Sequence, residues 1–268
     1  MLTANEFAKH FDLAILAPNT QEADILAGCR TAAEYQVNTI NVNSCWVETA
    51  KHALEGSGVG YSAVIGFPYG TPISKVKYLE LEEMLNLGCT ACDMVINVGA
   101  LKDGNLALVH DEVKTFADMC REAKADSKLI FEVGFLTDEE IATLTKICCE
   151  HGITYVKTAT GSQAFPDMHQ VQIMKANLSG DTKIKVSGVP RTFTLAAALF
   201  MFEHLGVSLI GTRSAGKIFY FHPGHETGNS FFNPNVIRVI KNAIYWAKPI
   251  EKKNYRASEC VEPLEEVR

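Results

Sequence analysis

The chain has 268 residues, 47% hydrophobic and 21% charged, the balance of an ordinary globular protein long enough for one large domain. A formal charge of −6 and the absence of any Lys/Arg block of five or more exclude a nucleic-acid footprint, so no nucleic-acid partner is expected. No stretch approaches the ~20 apolar residues of a membrane span, and the N-terminus lacks a basic region followed by an apolar one; a cytoplasmic chain with no membrane partner is expected.

Taken in chain order, short apolar runs predict strands over 11–16, 39–43, 61–67, 92–98, 128–133, 154–158, 183–186 and 208–212. Between them, amphipathic stretches predict helices over 21–35, 47–56, 74–87, 106–125, 138–151, 167–178 and 192–205. Helix starts carry polar caps: Thr137 stands three residues before Glu140, and Thr192 follows the loop at Gly188. Successive strands begin about one strand-helix unit apart, and eight such units fit a closed (β/α)₈ TIM barrel, with a doubly wound open sheet as the competing architecture. The barrel is expected to be a single catalytic domain over 1–247. Hydrophobic periodicity is lost beyond it, and 248–268 reads as a polar tail.

Cysteines such as Cys120, Cys148 and Cys149 fall inside helix patterns and read as reduced packing residues. Cys89-Thr-Ala-Cys92 has redox or zinc spacing, but no second Cys/His pair stands at ligand distance. His222-Pro-Gly-His225 likewise lacks a third ligand and reads as a loop. No metal site is expected.

The chemistry-bearing signal is a lysine at the end of an otherwise apolar strand, Lys157 in Ile153-Thr-Tyr-Val-Lys-Thr-Ala-Thr-Gly161. Burial disfavours an ammonium and lowers its pKa, and the free amine that results is a nucleophile for carbonyl carbon. Lys185 repeats the setting in Thr182-Lys-Ile-Lys-Val-Ser-Gly188, 28 residues later, and a second cation nearby would depress the first pKa further. Asp93 lies in the apolar run Ala91-Cys-Asp-Met-Val-Ile-Asn-Val-Gly99, where alternation puts Asp93, Val95 and Asn97 on one side and Met94 and Ile96 on the other. A carboxylate facing a barrel interior needs a partner, and the two lysines are the natural ones; a purely structural ion pair is the bland alternative. Asp12, early in the first strand, poses the same question more weakly. Asn43, Asp93, Glu132, Lys157, Lys185 and Gly211 all fall in or just after strand runs, where a barrel gathers its active site.

Four segments in order resemble the deoxyribose-phosphate aldolase family of Schiff-base-forming (class I) aldolases. They are Val64-Ile-Gly-Phe-Pro-Tyr-Gly70, Asp93-Met-Val-Ile-Asn-Val-Gly-Ala-Leu-Lys-Asp-Gly-Asn105, Leu136-Thr-Asp-Glu-Glu140 and Tyr155-Val-Lys-Thr-Ala-Thr-Gly161, within a likeness that runs from Phe11 to about Ala215. The resemblance implies that Lys157 forms the Schiff base, that Lys185 perturbs it, and that Asp93 and Asp12 belong to a proton-transfer network. It implies cleavage of 2-deoxyribose 5-phosphate to glyceraldehyde 3-phosphate and acetaldehyde, with Asp93 acting through a water and Lys185 on the C3 hydroxyl. A small sugar phosphate or aldehyde is the partner, a homodimer is compatible, and no cofactor or metal is required because the iminium is the electron sink.

The chain departs from that pattern where phosphate would sit. Gly161, Gly188, Gly211, Arg213 and Ser214 are the candidate phosphate-binding residues. The usual Lys-x-Ser-Gly-Gly-Ile-Arg-Thr is here Lys185-Val-Ser-Gly-Val-Pro-Arg-Thr192, so Val189 and Pro190 reduce the backbone donors of a phosphate nest. The usual Gly-Thr-Ser-Ser is Gly211-Thr-Arg-Ser214, and Leu13, Ala14 and Ala17 replace the common His, Thr and Lys of the first strand. Arg213 either clamps the phosphate, binds another anion such as a carboxylate, or points outward. Arg191 and Lys217 add positive field or are solvated. Two readings therefore stand beside the deoxyribose-phosphate one: the same chemistry on a differently anionic or unphosphorylated substrate, and a non-catalytic sugar-phosphate sensor. Retention of both lysines together with Asp93 argues against the sensor.

Overall fold

The computed structural model describes residues 4–162, 165–188 and 195–213, all within one compact unit, Met1–Ala215. The expected domain limit at 247 and the polar tail over 248–268 lie outside the described residues. A short helix α1 (Ala4–Ala8) precedes β1 (Phe11–Ile15), and the chain then runs α2 (Glu22–Tyr35), β2 (Thr39–Val42), α3 (Val47–Ala53), β3 (Gly60–Ile65), α4 (Ser74–Asn86), β4 (Ala91–Val95), α5 (Val98–Lys102), α6 (Leu106–Glu122), β5 (Asp126–Ile130), α7 (Asp138–His151), β6 (Tyr155–Lys157), α8 (Met168–Asn177), β7 (Lys183–Val186), α9 (Leu195–His204) and β8 (Val207–Arg213). The strands form a closed parallel barrel in sequence order, with β8 returning to β1 through Asp12 opposite Gly211. The (β/α)₈ expectation is met and the open sheet is excluded, since an open sheet would leave two edges unpaired.

Alternation along the strands sorts the side chains into two environments. Ile40, Val42, Met94, Leu129, Val156 and Ile184 point outward and join Ile25, Leu81, Phe116 and Leu144 of the helices in one apolar core. Fully burying each such side chain contributes ~1.5–3 kcal/mol. The opposite faces of the same strands carry Asp12, Asn41, Ser62, Asp93, Lys128, Lys157 and Lys185, all buried. An apolar layer outside and a polar layer inside explain why these strands read as near-continuous apolar runs broken by isolated charges.

Strand ends are set by local chemistry, and this is where the structure corrects the expected boundaries. Helix α7 matches the predicted 138–151: the Thr137 hydroxyl accepts from Glu140 N at 3.2 Å, the Glu140 carboxylate accepts from Thr137 N at 2.7 Å, and Gly152 closes the helix at φ 73°. Strand β4 stops at Val95, short of the predicted 98, because Asn97 caps α5 by accepting from Ala100 N at 3.1 Å. Asn97 therefore does not share a strand face with Asp93. Strand β5 ends at Ile130, since Glu132 adopts the left-handed conformation at φ 57° and opens a 3₁₀ turn over Val133–Phe135. Helix α6 stops at Glu122 and the chain reverses at Lys124, φ 57°. Among the described residues no helix is long and apolar enough to cross a membrane.

Candidate active site

Lys157 and Lys185 stand opposite each other on β6 and β7, and Asp93 reaches both from β4. Asp93 Oδ2 accepts from Lys157 Nζ at 2.7 Å and from Lys185 Nζ at 2.8 Å, while its Oδ1 accepts from the Ser62 hydroxyl at 2.9 Å. Asp12 of β1 completes the network from the other side. Its Oδ2 accepts from Lys185 at 2.5 Å and from Lys128 of β5 at 2.7 Å, and its Oδ1 accepts from Asn38 Nδ2 at 2.8 Å. Lys185 thus bridges the two aspartates.

Charge explains what this network can do. Burial opposes ionisation of Asp93, yet Lys157 and Lys185 outweigh it and hold the carboxyl well below its usual range. Asp12 behaves alike: burial opposes ionisation, and Lys128 and Lys185 more than compensate. Both aspartates are therefore carboxylates, and among the described residues three lysines pair with them, so full protonation of these five groups leaves one surplus positive charge. Lys128 keeps its proton, because Asp12 and Asp93 outweigh its burial and raise its pKa. Lys157 is the group that yields: burial and the neighbouring Lys185 outweigh the attraction of Asp93 and bring its pKa down to about 8. It is also the most accessible of the three, 4% exposed against 1% for Lys185 and 0% for Lys128.

The strand ends beside this network come together through small residues. Thr158 Oγ1 donates to Ser187 O at 2.8 Å and accepts from Ser187 N at 2.9 Å, and Ser187 Oγ donates to Ala159 O at 2.6 Å. Gly188, at φ 78°, has no space for a side chain: a Cβ there would lie 2.9 Å from Gly161 N. A Cβ on Gly211 would lie 2.8 Å from the Ser187 Cβ. The three glycines expected at a phosphate site thus lie close together, Gly188 against Gly161, and Gly211, inside β8, against Ser187. Arg213 is the last residue of β8, its backbone opposite Ala14. Its side chain lies outside the described residues, as do Val189, Pro190, Arg191, Ser214, Lys217, His222 and His225.

No protein-family model matches the chain. Among curated relatives, a deoxyribose-phosphate aldolase of Streptococcus pneumoniae (strain Taiwan19F-14) is 37% identical over 211 residues, which cover 78% of this chain and 92% of that protein. Another, from Caldicellulosiruptor saccharolyticus, is 36% identical over 219 residues, 81% of this chain and 98% of the relative. The chain belongs to the deoxyribose-phosphate aldolase family. Among solved structures, one described as "QR15, an Aldolase" superposes with a TM-score of 0.70 at 31% identity, covering 77% of this chain and 90% of that one. A deoxyribose phosphate aldolase from Aeropyrum pernix, described as tetrameric, shares the fold with a TM-score of 0.71 at 23% identity, over 78% of this chain and 88% of that one.

Asp12, Asp93, Lys157 and Lys185, the four candidate residues of the sequence, converge on one interior point. Lys128, Ser62 and Asn38 were not expected there. Lys128 opens its apolar run, a place where a solvated lysine is ordinary. Its spacing was the available signal, because alternation from Lys128 through Ile130 puts it on the strand face that Lys157 occupies one strand away. Cys89, Cys92 and Cys120 are buried free thiols in the apolar core.

Proposed function

We propose that the chain cleaves 2-deoxy-D-ribose 5-phosphate to D-glyceraldehyde 3-phosphate and acetaldehyde through a Schiff base on Lys157. The observation that carries this reading is the imbalance of three lysines against two aspartates, relieved at Lys157. With its pKa near 8, about one Lys157 in ten is a free amine at pH 7, against fewer than about one in a thousand for an ordinary lysine. The amine attacks the C1 aldehyde of the open-chain sugar, and loss of water gives a protonated imine. As the C2–C3 bond breaks, its electron pair flows into the imine to give an enamine, and the C3 hydroxyl proton passes to Asp93 through Lys185. Protonation at C2 and hydrolysis release acetaldehyde and restore the amine.

Asp12 serves as the second anchor of Lys185, holding its amine beside Asp93 and Lys157. Gly161, Gly188 and Gly211 are proposed to let a phosphate approach backbone, and Arg213 and Ser214 to supply donors to it. The barrel is proposed as the catalytic domain. Borohydride trapping with deoxyribose 5-phosphate, followed by peptide mass spectrometry, tests the chemistry: an N-ethyl group is expected on Lys157, and the same label on Lys185 instead would overturn the assignment. The substrate is tested separately. Equal kcat/KM for phosphorylated and unphosphorylated deoxyribose would leave the Schiff base standing and remove the sugar phosphate.

A further inference from the structure

On the outer layer of the barrel, α6 and α7 bring together three ligand-bearing side chains that the aldolase chemistry does not use. His110 Nδ1 lies 2.9 Å from His151 Nε2, with the two rings nearly perpendicular at 86°, and a carboxylate oxygen of Glu150 completes a set whose ligand atoms all fall within 4.8 Å of one another. We propose that His110, Glu150 and His151 form a binding site for a divalent transition-metal ion of the zinc class that clamps α6 to α7.

The donor set selects the ion. Two imidazole nitrogens with one carboxylate suit Zn²⁺, and also Ni²⁺ and Cu²⁺, whereas Mg²⁺ and Ca²⁺ take oxygen ligands. Tetrahedral zinc with bonds of ~2.0–2.1 Å separates its ligand atoms by roughly 3.3–3.4 Å. The imidazole nitrogens need only part by a few tenths of an ångström, and Glu150, which is exposed, has the freedom to close the rest. A water fills the fourth position.

The end of α7 favours a cation here. His151 is the last residue of α7, whose carbonyl end carries partial negative charge, and Gly152 caps it in the left-handed conformation. Arg121 Nη2 donates to His151 O at 2.9 Å and fixes the backbone of this ligand. Two positive groups near the site, Lys114 and Arg121, share the Asp118 carboxylate, with Lys114 Nζ at 2.5 Å and Arg121 Nη1 at 2.7 Å. Because both helices contribute ligands, the bound ion cross-links two neighbouring elements and leaves the barrel interior untouched.

The test is calorimetric titration of the EDTA-stripped, buffer-exchanged full-length protein with zinc sulfate, paired with melting curves. Wild type should take up one zinc equivalent that His110→Ala/His151→Ala does not, and Glu150→Gln should weaken that step. At a zinc concentration about 100 times Kd, Tm should rise on the order of 5 °C in wild type and not in the double variant. Cobalt substitution should give a tetrahedral visible band that disappears with His110→Ala. Aldolase turnover should be the same with and without zinc. A zinc uptake that the double variant retains in full, or none in wild type, overturns the proposal. If the double variant fails to fold, the single Glu150→Gln titration and the cobalt spectrum of His110→Gln decide it by the same criteria.

Discussion

Two regions of the protein bury a lysine against a carboxylate, and they behave differently. Between α4 and α6, Lys77 Nζ donates to Glu112 Oε2 at 2.9 Å and to Val95 O at 3.1 Å, and Ser74 donates to the other Glu112 oxygen at 2.8 Å. Burial lowers the Lys77 pKa and Glu112 pulls it back up, one cation to one anion, with neither side chain more than 1% exposed. Inside the barrel, Lys157 also meets a carboxylate, but Asp93 is shared with Lys185 and a third lysine stands behind it. Burial alone therefore does not separate the two lysines. What separates them is the surplus of cations over anions around Lys157, the feature on which its proposed role as the Schiff-base lysine rests.

The comparison is broken most severely at Lys157. Lys157→Arg should reduce turnover to the uncatalysed background, because a permanently charged guanidinium cannot form the imine, while a Lys77→Arg protein that folds should retain it. Next in size, Lys185→Met and Asp93→Asn should each slow kcat by ~10²-fold or more, the scale of general acid-base and electrostatic contributions. On the proposed mechanism, in which both act on one proton path, their double variant should lose less than the product of the two. Fully multiplicative losses would show that they work independently.

Arg213→Ala sharpens the substrate side. If it clamps phosphate, kcat/KM for deoxyribose 5-phosphate should fall roughly 10- to 150-fold, the worth of one charged hydrogen bond, and much less for unphosphorylated deoxyribose. The smallest effect on activity is expected at the outer pair. Lys77→Met or Glu112→Leu alone should cost about 3–5 kcal/mol of stability by stranding a buried charge, and the double variant should recover most of it, with an unchanged pH dependence of turnover. Urea melts and pH profiles of the three proteins check this.

The fold was legible because its signals are periodic: apolar strand runs and amphipathic helices alternate from Phe11 to Leu209, and α7 was readable to the residue from Thr137, Glu140 and Gly152. The site was legible where a charge interrupts an apolar run, as at Asp12, Asp93, Lys157 and Lys185. It was hidden where the interrupting residue is ordinary for its place. Lys128 at a strand start looks solvated, and Ser62 and Asn38 are unremarkable until the barrel closes and carries Asp93 and Asp12 to them. Asn97 misled for a related reason, since period-two alternation says nothing of a side chain that caps the next helix. The Lys77–Glu112 pair was invisible because residues from two different helices make it.

The central claim, that surplus positive charge makes Lys157 a nucleophile, is tested most directly by the pH dependence of imine formation. The initial rate of cyanoborohydride-trapped labelling of Lys157 by acetaldehyde would be followed by peptide mass spectrometry from about pH 6 to 10. In wild type the rate should rise about tenfold per pH unit and level off near 8, as the amine loses its proton. Lys185→Met leaves two lysines for two carboxylates and removes a like charge, so protonated Lys157 becomes easier to hold and the midpoint should move to higher pH. An unchanged or lower midpoint in Lys185→Met would contradict the account.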